Sequence, residues 1–369
     1  MKKTARAMVL EEFGQPLREE EVPLPELVPG SVLVRVTAAG ICGSDLGIAR
    51  GQDPRIRLPV ILGHEGVGRV EAVAGGKTDI LGHRLSVGDL VVWDRGLVCG
   101  ACYQCLVKKR PALCPQRRVY GITMPADVRP GLNGSYAEII CLQPETAILK
   151  IFDEVDDWAL VAATCSGATA AHSAKLANVQ PGDNVAVLGP GPLGLFAVAF
   201  AMDAGARRVF LLGTQRGIKR MELGREMGAH LTFNIAETTF EERLQAIMTE
   251  THGMGADVVV DAAGNADSIA EAVKLAARGG TVTLPGFATP TGSIGLDVYE
   301  DIVLNNLRVQ GVWVSDTSHL HQAVQLVLSG RYPLHKMVTH RFPLSQANEA
   351  LDALDRREGI KVVLEPADQ

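Results

Sequence analysis

The sequence has few aromatic residues, no long apolar run and no strong excess of either charge. Phe, Trp and Tyr make up 5% of the 369 residues, and the longest apolar run, Leu193–Met202, has ten residues. A helix that spans a bilayer needs about 20, and the four apolar residues 7–10 are too few for the core of a signal peptide. A net charge of −6 gives no general attraction to nucleic acid or anionic membranes. We therefore expect a soluble, cytoplasmic protein without nucleic-acid or membrane partners.

The hydrophobic pattern changes near the middle of the chain. Residues 7 to about 160 contain short β-rich runs broken by turns, whereas from Trp158 onward apolar strands alternate with amphipathic helical stretches. Each strand–helix unit spans about 25–30 residues, which is typical of a doubly wound parallel sheet. The tail beyond about Ser315 mixes one helix with two strands. Length and pattern together predict two domains.

A glycine-rich turn lies between a strand and an apolar helix of the second region. The strand 184–188 runs directly into the GxGxxG pattern, and this context predicts a dinucleotide-binding turn. Gly189 permits the tight turn, Gly191 lets the backbone approach a pyrophosphate, and Gly194 allows close packing of helix and strand. The predicted cofactor-binding residues of the turn are Gly189, Gly191, Pro192, Leu193 and Gly194.

The next strand ends without the carboxylate that a free ribose 2′-hydroxyl favours. Gly213 and Thr214 stand there instead, and Arg216 follows. This composition predicts that NADP is used at least as well as NAD. The alternative is that Arg216, Lys219 and Arg220 form a solvated helix face.

The seven cysteines point to metal binding. Four of them have the short spacings of a closed structural zinc site, within a lobe of residues about 95–118; they are Cys99, Cys102, Cys105 and Cys114. Cys42, His64 and Cys165 are dispersed, and together they offer two thiolates and an imidazole with a fourth position left open. A buried cysteine that serves only as a small hydrophobe is the alternative for these two thiols.

Four motifs resemble those of the zinc-dependent alcohol dehydrogenases of the medium-chain dehydrogenase/reductase family, along essentially the whole chain. They are GICGSD at 40–45, GHEGVG at 63–68, the four-cysteine lobe at 99–114 and VLGPGPLG at 187–194. The resemblance implies an α/β protein with a GroES-like β domain (1–165 and 314–369) and a Rossmann doubly wound parallel-sheet domain (166–313). It also implies one catalytic and one structural zinc ion, NADP or NAD, a small-molecule alcohol or carbonyl substrate, and a homodimer or homotetramer.

The resemblance also implies roles for single residues. Cys42, His64 and Cys165 match the catalytic zinc ligands, and Glu65 matches a glutamate that can approach the metal. Ser44 would take the alcohol proton. The remaining assignments are Asp45 for orienting the histidine ligand, Lys361 for the cofactor pyrophosphate, and Pro285, Phe287, Val312 and Val314 for the nicotinamide pocket.

The expected reaction transfers a hydride between a primary or secondary alcohol and NAD(P). Arg95, four residues before the lobe, stands where the family places a residue against the substrate, and Arg55 and Arg57 precede the GHEGVG motif. An arginine suits an anionic group, so we weigh a polar or anionic substrate against internal pairing of these arginines. Other interpretations are a polyol, sugar or amino-alcohol dehydrogenase, a zinc-independent alkene reductase, and a non-enzymatic NADPH-sensing scaffold.

Overall fold

The computed structural model describes residues 3–129 and 131–366 and shows an α/β protein with 18 strands among those residues. In chain order they are β1 Thr4–Leu10, β2 Arg18–Pro23, β3 Val32–Ile41, β4 Val60–Ile61, β5 Glu65–Val73, β6 Leu90–Trp93, β7 Gly96–Leu97, β8 Arg118–Val119, β9 Ile139–Leu142, β10 Ile148–Lys150, β11 Asn184–Leu188, β12 Arg208–Gly213, β13 Leu231–Asn234, β14 Ala256–Asp261, β15 Ala276–Leu284, β16 Arg308–Gly311, β17 Val338–Pro343 and β18 Lys361–Glu365.

Ten α-helices accompany these strands in the described part of the chain. They are α1 Gly43–Ala49, α2 Tyr103–Leu106, α3 Asp157–Val161, α4 Ser166–Ala177, α5 Pro192–Asp203, α6 Ile218–Glu226, α7 Phe240–Glu250, α8 Ala266–Leu275, α9 Thr317–Leu328 and α10 Ala347–Asp355. None of the helices in residues 3–129 and 131–366 is long and apolar enough to cross a membrane.

The chain divides into two compact units. Unit 1 comprises Met1–Cys165, Asp316–Val324 and His335–Gln369, and unit 2 comprises Ser166–Ser315 and Gln325–Leu334. The ten residues 325–334 therefore belong to unit 2, although they lie within the tail that the sequence analysis assigned to the first domain.

Unit 1 is built on a sheet with the strand order β10-β6-β5-β3-β18-β17, and β9 pairs with β3 beside it. A second sheet has the order β2-β1-β4. Buried apolar residues of β1, β3 and β9, in runs of three or more, fill a core to which Tyr120 and Tyr136 contribute large, fully buried side chains. Strand β18, near the end of the chain, pairs antiparallel with β3 and extends this sheet.

Unit 2 is built on a six-stranded parallel sheet with the order β13-β12-β11-β14-β15-β16. The chain runs from β11 outward through β13 and returns to the other side at β14, so the sheet is doubly wound. All five residues of β11 are buried, as expected for a central parallel strand covered on both faces. The predicted α/β class, with a β domain and a doubly wound parallel sheet, is confirmed.

Candidate active site and metal centres

Three neighbouring strands of unit 1 end or begin at one edge of the sheet. Gly40 of β3 pairs with Glu65, the first residue of β5, and Ile41 pairs with Val362 of β18. Because both neighbours run antiparallel to β3, the end of β3 and the starts of β5 and β18 meet. Cys42, His64, Glu65 and Lys361 are thereby brought together from three distant parts of the sequence.

The carboxylate of Asp45 is fully buried beneath this edge and accepts three hydrogen bonds. The backbone N–H of Cys42 donates to Oδ2 over 2.8 Å, and the hydroxyl of Tyr136 donates to the same oxygen over 3.0 Å. His64 donates from Nδ1 to Oδ1 over 3.2 Å, which leaves its Nε2 as the free ligand atom. Asp45 therefore fixes both the Cys42 backbone and the His64 ring.

The donor atoms of Cys42, His64, Glu65 and Cys165 all lie within 4.8 Å of one another. Ligands of a tetrahedral zinc at 2.0–2.3 Å are separated by about 3.3–3.8 Å, so the cluster needs only small shifts to close on such an ion. Glu65 Oε1 is buried and has no hydrogen-bond donor among the described residues. Two thiols, an imidazole and an unpartnered carboxylate oxygen form a donor set that fits a zinc ion.

The charges of this cluster are coupled. Burial alone lowers the pKa of His64, but the charges and hydrogen bonds of Asp45 and Cys42 together outweigh burial and raise this pKa to about 10. The Cys165 side chain donates to the Cys42 sulfur, which lowers the pKa of Cys42 and raises the pKa of Cys165. A cation that binds here must displace protons from the cluster, because metal ligands have to be deprotonated.

Lys361, which the resemblance assigns to the cofactor pyrophosphate, forms an ion pair inside unit 1. Its side chain is only 2% exposed, its Nζ donates to the carbonyl of Ile41 over 3.0 Å, and it forms an ion pair with Glu65 Oε2. Gly40 makes room for this pair, since a Cβ there would lie 2.0 Å from Glu65 Oε2 and 2.9 Å from Lys361 Cε. In this structure the ammonium compensates a buried carboxylate, and a contact between Lys361 and the cofactor pyrophosphate stays a prediction.

The four-cysteine lobe is closed at its base by the two-residue strands β7 and β8, which pair antiparallel. The Sγ atom of Cys114 lies 3.6 Å from that of Cys99 and 3.9 Å from that of Cys102. These separations match the value of about 3.8 Å expected for thiolates on one tetrahedral zinc. Backbone N–H groups of Ala101 and Cys102 lower the pKa of Cys99 to about 7. All four sulfurs belong to one compact cluster that fits a structural zinc.

The three arginines considered for substrate binding all have partners within unit 1. Arg95 is buried, and its Nη1 donates to the carbonyl of Thr164 over 2.8 Å. Arg55 binds the carboxylate of Asp53, and Arg57 binds that of Asp127. Thr164 directly precedes Cys165, so Arg95 supports the backbone that carries one of the metal-binding thiols.

In unit 2, the glycine-rich turn joins the buried strand β11 to helix α5. Gly189 has φ +96°, which favours glycine, and its amide donates to the carbonyl of Leu212 over 2.9 Å. A Cβ on Gly194 would lie 1.9 Å from the carbonyl oxygen of Gly189. A Cβ on Gly191, just before the helix, would meet nothing within 4 Å. Tight packing below and open space at the helix N-terminus, which begins with Pro192 and Leu193, fit a bound pyrophosphate.

The end of β12 leaves no room for a side chain at position 213. A Cβ on Gly213 would lie 2.6 Å from Pro190 Cγ and 3.2 Å from Met221 Sδ. An aspartate introduced here would disturb the glycine-rich turn, so Gly213 is unsuitable for testing the choice between NAD and NADP. Thr214 and Arg216, which follow it, are both exposed.

The other proposed cofactor residues follow β15 and β16 at the same edge of the sheet. Pro285 is buried and Phe287 half-buried after β15, while Val312 is buried and Val314 half-buried after β16. The ends of β14 and β15 pack so closely that a Cβ on Gly264 would lie 2.1 Å from the carbonyl oxygen of Gly286. In doubly wound sheets, ligands bind outside the carboxyl ends of the strands, where all these residues lie.

Comparison with known proteins identifies the family. The alcohol dehydrogenase GroES-like domain matches residues 28–153, and the zinc-binding dehydrogenase domain matches residues 192–329. The chain is 32% identical to 5-exo-hydroxycamphor dehydrogenase from Pseudomonas putida over 367 residues, which cover 98% of each chain. The protein belongs to the zinc-dependent medium-chain dehydrogenase/reductase family. It is therefore an oxidoreductase of a zinc-binding, NAD(P)-dependent family, and the predicted resemblance is confirmed.

Other members of the medium-chain family are similar over nearly their full length. L-threonine 3-dehydrogenase from Bacillus velezensis is 30% identical, with 96% of each chain covered. The crystal structure of an alcohol dehydrogenase from Thermotoga maritima is 45% identical with a TM-score of 0.95, covering 99% of this chain and 100% of that one. A zinc-binding dehydrogenase from Sinorhizobium meliloti bound to NADP is 29% identical with a TM-score of 0.86, covering 99% and 100%.

Sequence reasoning missed several supporting residues of this medium-chain dehydrogenase. Tyr136 donates to Asp45, Thr164 receives Arg95, and His172 on α4 donates to the carbonyl of Val314. Each contact joins residues at least 69 positions apart. No local motif announces such contacts, because only the tertiary structure brings the partners together.

We predict that the two clusters hold zinc independently. Cys42→Ser should lose one of two zinc ions per chain and keep a melting temperature near wild type, since the cluster lies at a sheet edge. Cys102→Ser should lose the other ion and lower the free energy of unfolding by more than about 2 kcal/mol, because a structural zinc contributes folding energy. Elemental analysis and thermal denaturation measure both effects.

The matched control is Cys141→Ser, because Cys141 is buried outside both clusters. This variant should keep both ions. Loss of both ions from Cys42→Ser, or none from Cys102→Ser, would contradict the assignment.

Proposed function

We propose that this oxidoreductase transfers a hydride between a primary or secondary alcohol and NAD(P), with the aldehyde or ketone as product. The observation that supports this most directly is the donor cluster of Cys42, His64 and Cys165, with the hydroxyl of Ser44 placed 3.4 Å from His64 Nε2. His64 Nε2 is the atom that would bind the metal. A substrate oxygen held next to that atom would lie near the Ser44 hydroxyl, which could then exchange a proton with it. Ser44 is half-buried on α1, whose start is tied down by Asp45.

The chain's own residues divide the work of such a reaction. A bound zinc would lower the pKa of the alcohol hydroxyl, and the nicotinamide cofactor would accept the hydride. Ser44 accepts the hydroxyl proton on Oγ as its own proton leaves to solvent, to which the half-buried side chain is open. Asp45 keeps His64 in the tautomer that presents Nε2. Glu65, held by Lys361, keeps a carboxylate beside the cluster. Burial raises the pKa of Glu65, and the Lys361 charge opposes that rise.

An amino-alcohol or polyol dehydrogenase is the second candidate within this reaction class. It is favoured by the similarity to L-threonine 3-dehydrogenase from Bacillus velezensis, at 30% identity over 358 residues. The metal cluster and the glycine-rich turn serve this reaction equally well. The two candidates differ only in the groups that contact the substrate beyond its hydroxyl carbon.

We expect alcohol-dependent reduction of NAD(P) by the wild-type protein and a loss of about 1,000-fold or more in kcat/KM for Cys42→Ser. The reason is that Lewis-acid stabilisation is worth several kcal/mol and each 1.36 kcal/mol is about tenfold in rate. A spectrophotometric screen of simple alcohols, diols and amino alcohols with both cofactors measures this. Cys141→Ser serves as the matched control. Near-wild-type activity of Cys42→Ser would overturn the metal-dependent reaction.

Arg95 offers a test of the substrate's charge. If its guanidinium binds an anionic substrate group, Arg95→Ala should lower kcat/KM for 3-hydroxybutyrate about tenfold more than for 1,3-butanediol, because charge-assisted hydrogen bonds are worth about 1.5–3 kcal/mol. The contact with Thr164 favours the alternative that Arg95 supports Cys165. Equal losses on both alcohols would establish that supporting role.

We propose that NADP is used at least as well as NAD, on the ground that Arg216 is exposed just beyond the end of β12. Arg216→Ala should lower kcat/KM for NADP about tenfold while changing that for NAD by less than about twofold. Arg207→Ala is the matched control, since it removes an exposed arginine at the opposite end of β12. A strong wild-type preference for NAD would contradict this assignment.

A homodimer or homotetramer would cover the edge of the unit 2 sheet. Strand β16 is an edge strand in which Val309 is 37% exposed, and Trp313, two residues beyond its end, is 42% exposed. Sheet edges with exposed apolar residues favour strand pairing between copies. Light scattering should give a mass of two or four chains for the wild type. Val309→Lys, which places a charge on the edge, should shift that mass toward one chain.

A further inference from the structure

Val314 has a strained backbone at the carboxyl edge of the unit 2 sheet. Its φ is +49°, and it is the one β-branched residue with positive φ among residues 3–129 and 131–366. This conformation is a genuine outlier for a β-branched side chain. Such residues persist only where their surroundings over-determine them, and they cluster at ligand sites.

The surroundings that hold Val314 come from helix α4. The Nδ1–H group of His172 donates to the carbonyl oxygen of Val314 over 2.8 Å. The next residue on the helix, Ser173, is hydrogen-bonded through its hydroxyl to Thr283 of β15 over 2.9 Å. Helix α4 is thus hydrogen-bonded both to β15 near its end and to the segment that follows β16.

The direction of a bound dinucleotide follows from the strand order. Its pyrophosphate belongs at the glycine-rich turn after β11, and its adenosine ribose belongs at the end of the neighbouring strand β12. The nicotinamide half must therefore extend the opposite way, across the ends of β14 and β15 toward β16. Strands β11 and β16 are three positions apart, or about 14 Å, and Val314 stands three residues beyond the end of β16.

We propose that His172 is a positioning residue that fixes the strained backbone of Val314 to receive the nicotinamide end of the cofactor. This inference rests on the proposed function only for the identity of the dinucleotide. A donor on the rigid helix holds the Val314 carbonyl in place before the ligand arrives, so binding requires no further ordering of this segment. His172 does not touch the reacting atoms in this arrangement and acts through Val314.

Binding measurements with whole and truncated cofactors test the proposal without turnover. The tighter of NAD and NADP is compared with its analogue lacking nicotinamide, ADP-ribose or 2′-phospho-ADP-ribose, by calorimetric titration. His172→Ala should lower the affinity for the whole cofactor about five- to tenfold, which is the effect of losing one hydrogen bond. The analogue should change by less than about twofold. His172→Asn, which keeps an N–H donor, should recover most of the lost affinity.

Two further variants separate positioning from general damage. Lys175→Ala removes an exposed side chain from the same helix and should leave both affinities unchanged. Val314→Gly relieves the backbone strain and removes the need for the hydrogen bond from His172. The double variant with His172→Ala should therefore lose little cofactor affinity beyond that lost by Val314→Gly alone. Additive losses would overturn the proposal.

The remaining outcomes are also decisive. Equal weakening of cofactor and analogue by His172→Ala, or no weakening of either, would overturn the positioning role. If the expected binding pattern appears in a protein that oxidises no alcohol, the proposed function fails and the role of His172 stands. If the wild type binds neither dinucleotide, both fail.

Discussion

Asp45 accepts hydrogen bonds from the Cys42 backbone, the His64 ring and the Tyr136 hydroxyl, and its side chain has no exposure to solvent. A carboxylate in such a place is tolerated only when its oxygens are satisfied. The three donors come from the end of β3, the start of β5 and the segment before β9, so satisfying one charge aligns three parts of the sheet. The geometry of the cluster of metal-binding residues depends on this alignment, because Asp45 holds both the Cys42 backbone and the His64 ring.

Features with local signals were accessible from the sequence. The glycine-rich turn is flanked by an apolar strand and an apolar helix, and the four-cysteine lobe has short, regular spacings, so both follow from neighbouring residues alone. The two-residue strands β4, β7 and β8 carry too few residues for any periodic pattern. They exist because pairing partners elsewhere in the fold accept their hydrogen bonds.

Contacts between residues far apart in the sequence could not be predicted from local sequence patterns. The family resemblance assigns Lys361 to a cofactor phosphate but says nothing of Glu65, 296 positions earlier, which lies beside Lys361 because β18 pairs with β3 and β3 pairs with β5. From the sequence, Gly213 is notable because it lacks the carboxylate that NAD favours. The structure shows in addition that Pro190 leaves no room for a side chain at this position. In both cases a residue's chemistry was visible in the sequence and its neighbour was not.

The position of Lys361 near the end of the chain has a consequence for synthesis on the ribosome. Glu65 is made early, but the cation that compensates it arrives on β18, after the whole of Ser166–Ser315. Chains emerge from the ribosome N-terminus first and fold as they do so. The contiguous parallel sheet of unit 2 can therefore form before β18 has been made and has paired with β3. A chain whose synthesis stops before β17 and β18 would therefore contain the parallel sheet of unit 2 but would lack the Lys361 ammonium that compensates the buried Glu65.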